Sequence, residues 1–406
     1  MRTAKVVIGA NYGDEGKGLM TDYFAAQGGD SLVVRFNGGC QAGHTVTTPE
    51  GKRHVFSHFG SGTFAGATTY LSRHFAVNPP LYLKEREALA PLVGQLPTLF
   101  FVDERAPVTT FFDMLVNQLV EEYRGENRHG SCGLGFGETI GRHEGGAYAL
   151  AVRDLLDVTT LREKLIRIRD EYLPARCKEL GLPDYGKHYD LCTTDTLVDA
   201  FIESAQKFLS LVVLVPDAVS PLSLASNVVF EGAQGLLLDQ EQGAFPYVTR
   251  SNTGLRNALD VAREAGIGAL DVTYMTRAYL TRHGAGPLDH ELPGSPYIGV
   301  VDLTNRPNAW QGSLRFAYLD LDQLALAIGT DLADACGAGI HINAQLGVTC
   351  LDQLDERAHV RVNGALHEVT PEDLIYMAGQ RVLPVGFCSW GPTRDTIVAM
   401  RESLAA

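Results

Sequence analysis

Two glycine-bearing segments near the start of the chain carry side chains suited to phosphate chemistry. The first is Gly13-Asp14-Glu15-Gly16-Lys17-Gly18. Glycines let successive backbone N–H groups converge on an anion, and a helix beginning there adds a partial positive charge. Lys17 supplies a full charge. The segment is not a Walker A loop, which needs Gly where Asn11 stands and Ser or Thr where Gly18 stands. Two carboxylates inside a phosphate loop repel the ligand unless a divalent cation or a substrate proton engages them, so Asp14 is the most informative residue of the chain. The second segment is Gly38-Gly39-Cys40-Gln41-Ala42-Gly43-His44-Thr45. A histidine after such a turn can protonate or hydrogen-bond a phosphate. Taken alone, an ordinary surface turn and a structural histidine remain the alternative readings.

Each segment follows an apolar run that reads as a buried strand, Lys5 to Ala10 before the first and Ser31 to Phe36 before the second. Asn227 to Glu231, ending in Gly-Ala-Gln-Gly, and Leu346 to Leu351 read as further inner strands. Leu255 to Ala265 reads as a helix, Arg162 to Leu180 has apolar residues at helical spacing, and Asp195 to Leu214 is expected to continue helical. Buried strands that each end in a glycine-rich or charged loop predict an α/β fold. Its large, mostly parallel central sheet is flanked by helices, with the site at the strand C-termini. The polar, proline-containing stretches Arg282 to Pro296 and Thr304 to Gly312 read as functional loops. No repeat, low-complexity tract or linker interrupts the chain, so residues 1–406 are expected to form a single domain.

Composition narrows the function classes. The chain has 406 residues, 45% of them hydrophobic, which excludes a disordered or collagenous protein. A net charge of −14 repels polyphosphate surfaces, so no nucleic-acid or membrane partner is expected, whereas small anions can still bind local backbone donors. Seven cysteines without a CxxC pair argue against a disulfide framework or a zinc site. The apolar stretch at the N-terminus is too short for a signal peptide, and Leu209 to Val215 is only strand-length. A cytoplasmic protein is expected.

VVIGANYGDEGKG followed by VVRFNGGCQAGHT resembles the adenylosuccinate synthetase family, whose hallmark loops are GDEGKG and NAGHT. The likeness recurs in order along most of the chain. Phe230 to Gly235 (FEGAQG) and Phe245 to Thr249 (FPYVT) resemble the family's purine-nucleotide segment, and Thr281 to Pro287 (TRHGAGP) its characteristic turn. Val348 to Asp352 (VTCLD) and Ser389 to Pro392 (SWGP) resemble its guanine-binding elements.

The resemblance implies a P-loop-like GTP-binding ligase fold and a two-step reaction. GTP phosphorylates the 6-oxygen of IMP, and the amino group of aspartate then displaces phosphate to give adenylosuccinate. A lactam oxygen is a poor nucleophile until N1 loses its proton, so a carboxylate belongs beside N1. Asp14 matches the family's base and its Mg²⁺ ligand, His44 its general acid, and the Gly43 carbonyl the second protein contact to Mg²⁺. Gln234 matches the amide that holds the 6-oxygen, and Lys17 joins these as a catalytic residue. GTP contacts are implied for Gly13, Glu15, Gly16, Lys17, Gly18, Gly43, His44, Thr45, Asp352, Ser389, Gly391 and Pro392. Asp352 can accept from guanine N1–H and the 2-amino group, which adenine cannot offer together, so GTP is favoured over ATP. Purine monophosphate contacts are implied for Asp14, Gln41, Ser131, Cys132, Gln234, Thr249 and Arg315. Family members are homodimers that share an Arg across the interface, for which Arg142 is the nearest match.

Departures from the family pattern cluster around the acceptor and the amine. Gln41 stands for the usual Asn, Cys350 for the usual Lys, and Ser131-Cys132 for two threonines. The run of arginines that grips aspartate is replaced by Asn305 to Arg315, leaving Arg315, Arg306, Asn305 and Thr304 as the aspartate-site candidates. Three readings therefore stay open: an adenylosuccinate synthetase of a divergent branch, a phage-type synthetase that accepts (d)GMP, and a GTP-binding regulator without catalysis. The amine could also be less acidic than aspartate.

Overall fold

The computed structural model describes residues 2–400 apart from 183, 184, 186, 187 and 302–312. A ten-stranded sheet organises it. From one edge to the other its strands are Ile397–Ala399, Val385–Ser389, His341–Thr349, Ala269–Arg277, Thr3–Gly9, Asn227–Glu231, Ser31–Arg35, Thr68–Leu71, Phe100–Asp103 and Val213–Val215. Every pairing is parallel except the edge strand Ile397–Ala399, which runs antiparallel to Val385–Ser389. The inner strands are continuous apolar runs because helices cover both faces. Val6, Val7 and Ile8 are fully buried, and all five residues of Ser31–Arg35 are buried.

A smaller four-stranded sheet joins Tyr279–Arg282, Arg315–Asp320, Ala358–Val362 and Ala365–Val369, and a hairpin joins His44–Thr47 to Arg53–Phe56. Helix Phe111–Arg124 begins with a capping box in which Thr110 and Asp113 satisfy each other's backbone N–H, which fixes where the helix starts. The expected helix across 162–180 is realised as Val158–Arg167, a π-turn over Ile168–Tyr172, and Leu173–Glu179. Pro174 lacks the N–H that a regular ladder needs, which accounts for the widened turn before it. The expected helix from Asp195 to Leu214 stops earlier, spanning Thr196–Leu209. The β-branched run behind it instead forms the edge strand Val213–Val215 against Phe100–Asp103. Among the described residues no helix is long and apolar enough to cross a membrane.

Candidate functional site

Six adjacent strands of the large sheet deliver five of the singled-out residues, and Arg277, which the sequence reading did not single out, to one rim. The loop holding Asp14 leaves Thr3–Gly9, the turn holding Gln41 leaves Ser31–Arg35, and Gln234 follows Asn227–Glu231. Arg277 ends Ala269–Arg277, Asp352 follows His341–Thr349, and Ser389 ends Val385–Ser389. Ligands of open parallel sheets bind at such a C-terminal rim.

The glycine loop is organised around its own anion. Glu15 is buried, and its Oε1 accepts from Asn11 N–H at 3.1 Å and Gly13 N–H at 2.7 Å. Its Oε2 lies 3.0 Å from Lys17 Nζ. The Glu15 side chain therefore shapes the loop and neutralises Lys17, leaving the amides at the start of helix Lys17–Ala26 for an incoming phosphate. Gly18 explains the departure from a Walker loop. A Cβ there would stand 3.0 Å from Thr45 O, 3.1 Å from His44 Cβ and 3.2 Å from Ser61 Oγ. Asp14 adopts φ 63° with a side chain 33% exposed, open to a ligand. Arg277 clamps this conformation by donating from Nε to the Asp14 carbonyl, and Thr349 Oγ1 holds the Glu15 carbonyl at 3.1 Å.

His44 opens the hairpin strand His44–Thr47, and its Nδ1 lies 2.6 Å from Glu231 Oε1. Glu231 is fully buried, also accepts from the Ser61 hydroxyl and backbone N–H, and has Arg35 Nε 3.9 Å away. Burial alone would raise its carboxyl, but Arg35, His44 and Ser61 bring it down to about 2. Burial, with the Arg35 and Lys17 charges, outweighs Glu231 and holds His44 below the ordinary imidazole value. The resting ring is therefore neutral with its hydrogen directed at Glu231, and a dianionic phosphoryl group at Nε2 would favour a second proton. Glu231 escaped the sequence reading although it sits inside FEGAQG. Its one signal was a charge ending an otherwise apolar strand.

Two amides converge beside this loop. The Oε1 and Nε2 of Gln41 and the Oε1 of Gln234 are shielded from solvent without a hydrogen-bond partner. They are close neighbours, since a Cβ on Gly38 would lie 3.4 Å from Gln234 Oε1 and 3.7 Å from Gln41 Nε2. Buried amides without partners mark a place for a polar ligand. Ser131 Oγ donates to Asn117 Oδ1 at 2.8 Å, and Gly130 N–H donates to Glu121 Oε2 at 2.8 Å, which anchors the Ser131-Cys132 segment on helix Phe111–Arg124. Burial raises the Cys132 thiol, so it stays protonated there. Thr249 is placed by its N–H bond to Leu238 O at 2.8 Å.

The expectation for Arg142 is overturned. Its guanidinium is fully buried, with Nε and Nη2 each 2.8 Å from the Asp113 carboxylate and further bonds to the Tyr148 and Val108 carbonyls. Its charge is consumed inside the fold, so it can serve neither a nucleotide nor a neighbouring subunit. Arg315 is exposed enough to act but has an internal partner. Its Nε lies 2.9 Å from Glu291 Oε1, Nη2 pairs with Oε2, and Nη1 holds the Gly284 and Gly286 carbonyls at 3.1 and 2.8 Å. Gripping a ligand carboxylate would require exchange with Glu291. Thr304, Asn305 and Arg306 lie outside the described residues.

At the far end of the rim, Asp352 is exposed on the turn Leu351–Gln353, while Ser389 is buried and donates from Oγ to Gly391 O at 2.7 Å; Pro392 is exposed. Burial raises the Cys350 thiol against the opposing charge of nearby Arg277, which stands over the Tyr279 ring at 5.6 Å, so a guanidinium from another strand supplies positive charge beside the position that lacks lysine. Among the described residues no group of three His, Cys, Asp or Glu could hold a metal ion. Asp14 and the carbonyl of Gly43, an exposed residue, are nonetheless hard oxygen donors. They suit a cation such as Mg²⁺, which takes few protein ligands and completes its shell with phosphates and water.

A model of the adenylosuccinate synthetase family matches residues 6–310. An adenylosuccinate synthetase of Clostridium beijerinckii is 34% identical over 339 residues, covering 80% of this chain and 74% of that protein. One of Clostridium perfringens is 34% identical over 397 residues, covering 96% and 88%. Among solved structures, fully ligated adenylosuccinate synthetase from Plasmodium falciparum superposes with a TM-score of 0.77 at 17% identity, covering 98% of this chain and 100% of that one. Cyanophage S-2L succinoaminodeoxyadenylate synthetase, bound to dGMP and to dATP as an energy donor, gives 0.62 at 18% identity, covering 98% and 95%.

Proposed function

The chain belongs to the adenylosuccinate synthetase family, and on that premise we propose that it is a carbon–nitrogen ligase that phosphorylates the 6-oxo group of IMP with GTP and displaces the phosphate with aspartate. The single observation that carries this reading is the convergence on one rim of a ligand-accessible carboxylate, Asp14, two partnerless amides, Gln41 and Gln234, and a histidine backed by Glu231.

The residues divide the chemistry between them. Asp14 takes the proton from purine N1, which moves electron density onto the 6-oxygen. Gln234 turns its amide toward that oxygen and steadies its position. The oxygen attacks the γ-phosphorus, the bond to the β–γ bridging oxygen breaks, and GDP departs. His44, held at Nδ1 by Glu231, takes up a proton from water at Nε2 once phosphoryl charge lies beside it, and donates from there to a phosphoryl oxygen. The helix N-terminal amides hold the donor phosphates, with Lys17 fixing the loop through Glu15. The amine nitrogen then attacks C6, the C6–O bond breaks, and the departing phosphate carries away the proton that the nitrogen loses. Asp14 and the Gly43 carbonyl would hold Mg²⁺, which when bound neutralises phosphate charge.

Asp352, Ser389, Gly391 and Pro392 are proposed to take guanine, and Arg315, with Arg306, Asn305 and Thr304, the amine. Ser131, Cys132 and Thr249 are proposed to face the acceptor phosphate. We place the enzyme in the cytoplasm as a single-domain subunit of a homodimer. Incubating the purified protein with IMP, GTP, Mg²⁺ and aspartate should give equimolar adenylosuccinate and phosphate. GTP turnover that does not depend on the purine monophosphate, or none at all, would sink the reading. A (d)GMP-using variant of the same reaction is the second reading, favoured by the longer Gln41 side chain at the acceptor pocket.

A further inference from the structure

His283 belongs to the loop between Arg282 and Gly286 and has no role in the chemistry above. Its side chain is 16% exposed, both ring nitrogens are shielded from solvent, and neither has a hydrogen-bond partner. Nε2 lies 3.8 Å from Asp14 Oδ2, too far for a hydrogen bond in this state and near enough to face the same ligand. The ring has not drifted there by chance, because the backbone that carries it is fixed from both sides. Arg282, buried and stacked 4.5 Å from the Tyr12 ring, donates to the Ala285, Pro287 and Tyr247 carbonyls. Gly284 packs directly on Gly130, where a Cβ would come within 2.6 Å of the Gly284 Cα.

A buried imidazole with two idle nitrogens is costly unless a ligand satisfies it. The ligand group must adjoin whatever Asp14 touches. On the proposed reading Asp14 meets purine N1 and Gln234 the 6-oxygen, while Gln234 and Gln41 stand together on the Gly38 flank. N1 has two ring neighbours, C6 and C2. With the C6 side given to the amides, the C2 edge is left for the residue that reaches Asp14 from the other loop. We propose that His283 reads the 2-position of the acceptor purine, accepting a hydrogen bond from a 2-amino group at one ring nitrogen, so that the pocket takes GMP-type monophosphates as well as IMP. A hydrogen at C2 leaves that nitrogen idle, and an amino group fills it. The inference rests on the function proposed above.

Titration calorimetry of the full-length protein with IMP, GMP and dGMP, without donor nucleotide, tests it. The wild type should bind GMP or dGMP at least as tightly as IMP. His283→Val should weaken the 2-amino ligands at least about tenfold more than IMP, the worth of one buried hydrogen bond, and His283→Asn should recover part of that difference. Thermal melts establish that both variants fold. Equal weakening of all ligands, or a wild type that binds IMP and no 2-amino purine, overturns the assignment of His283 and leaves the ligase reading standing. A wild type that binds none of the three overturns both.

Discussion

Glu231 Oε1 lies 2.6 Å from His44 Nδ1, at the end of a fully buried strand and below a hairpin that shares no sheet with it. The two residues are 187 positions apart in the chain. Their meeting settles which ring nitrogen of His44 is available to a ligand, because the carboxylate takes the hydrogen of the other.

Replacing Glu231 by Gln keeps size and one hydrogen bond but removes the charge that supports a second proton on His44. The phosphoryl-transfer step should slow by roughly 100-fold, with the KM for the nucleotides nearly unchanged. Steady-state and single-turnover kinetics of Glu231→Gln would show it. A KM that rises in step with the loss of kcat would instead mean that Glu231 only shapes the pocket.

Glu231 also makes acid stability measurable. Its carboxyl is held at about 2 against an unperturbed 4.5. A carboxylate depressed in the fold stabilises above its unfolded value, and that contribution drains away as pH falls from about 4.5 to about 2. The difference is on the order of 3 kcal/mol. Urea titrations from pH 6 down to 3 should show wild-type stability falling faster than that of Glu231→Gln. Parallel curves would contradict the assignment.

Arg142 gives a prediction of the opposite kind, on stability rather than chemistry. Removing its guanidinium strands the Asp113 carboxylate in a dry interior, and breaking a buried pair in this way costs about 3–5 kcal/mol. Arg142→Met should lower the urea midpoint markedly while the protein that remains folded turns over normally. Mixing it with Asp14→Ala subunits should leave the activity per folded Arg142→Met subunit unchanged, since the residue does not reach a neighbouring subunit. Folded Arg142→Met protein that is inactive alone and regains activity in the mixture would show that it does.

How much of this was legible beforehand depends on distance in the chain. The glycine loop, the strands that precede it and the rim on which it sits follow from local runs such as Lys5 to Ala10, because parallel strands buried on both faces announce themselves by unbroken apolarity. The loop's inner logic was hidden, since the sequence shows Glu15 as a charge that should repel phosphate and not as the anion that the loop amides already hold. Arg142 was matched to a shared family arginine by its position after the glycine segment, and only packing against a different helix reveals Asp113. The Glu231–His44 pair and the His283–Asp14 approach depend on contacts between distant segments, which no local pattern encodes.

Gly18 separates this loop from the Walker type and can be tested directly. In a Walker loop the equivalent Ser or Thr hydroxyl reaches the metal. Here a side chain would enter the space between the Thr45 carbonyl, His44 Cβ and Ser61 Oγ, all within 3.2 Å of an ideal Cβ. The carbonyl belongs to a paired hairpin strand and cannot yield cheaply, so the helix N-terminus or the hairpin must shift. Either movement pulls His44 off Glu231 or spoils the phosphate cradle, and displacements of this kind cost catalysis heavily. Gly18→Ser should therefore lower kcat/KM for the donor nucleotide by about 100-fold or more, whereas Gly18→Ala should do the same without offering any hydroxyl. Retained activity in the Ser variant alone would mean that the hydroxyl finds a use at the metal site, and that the loop works as a Walker loop after all.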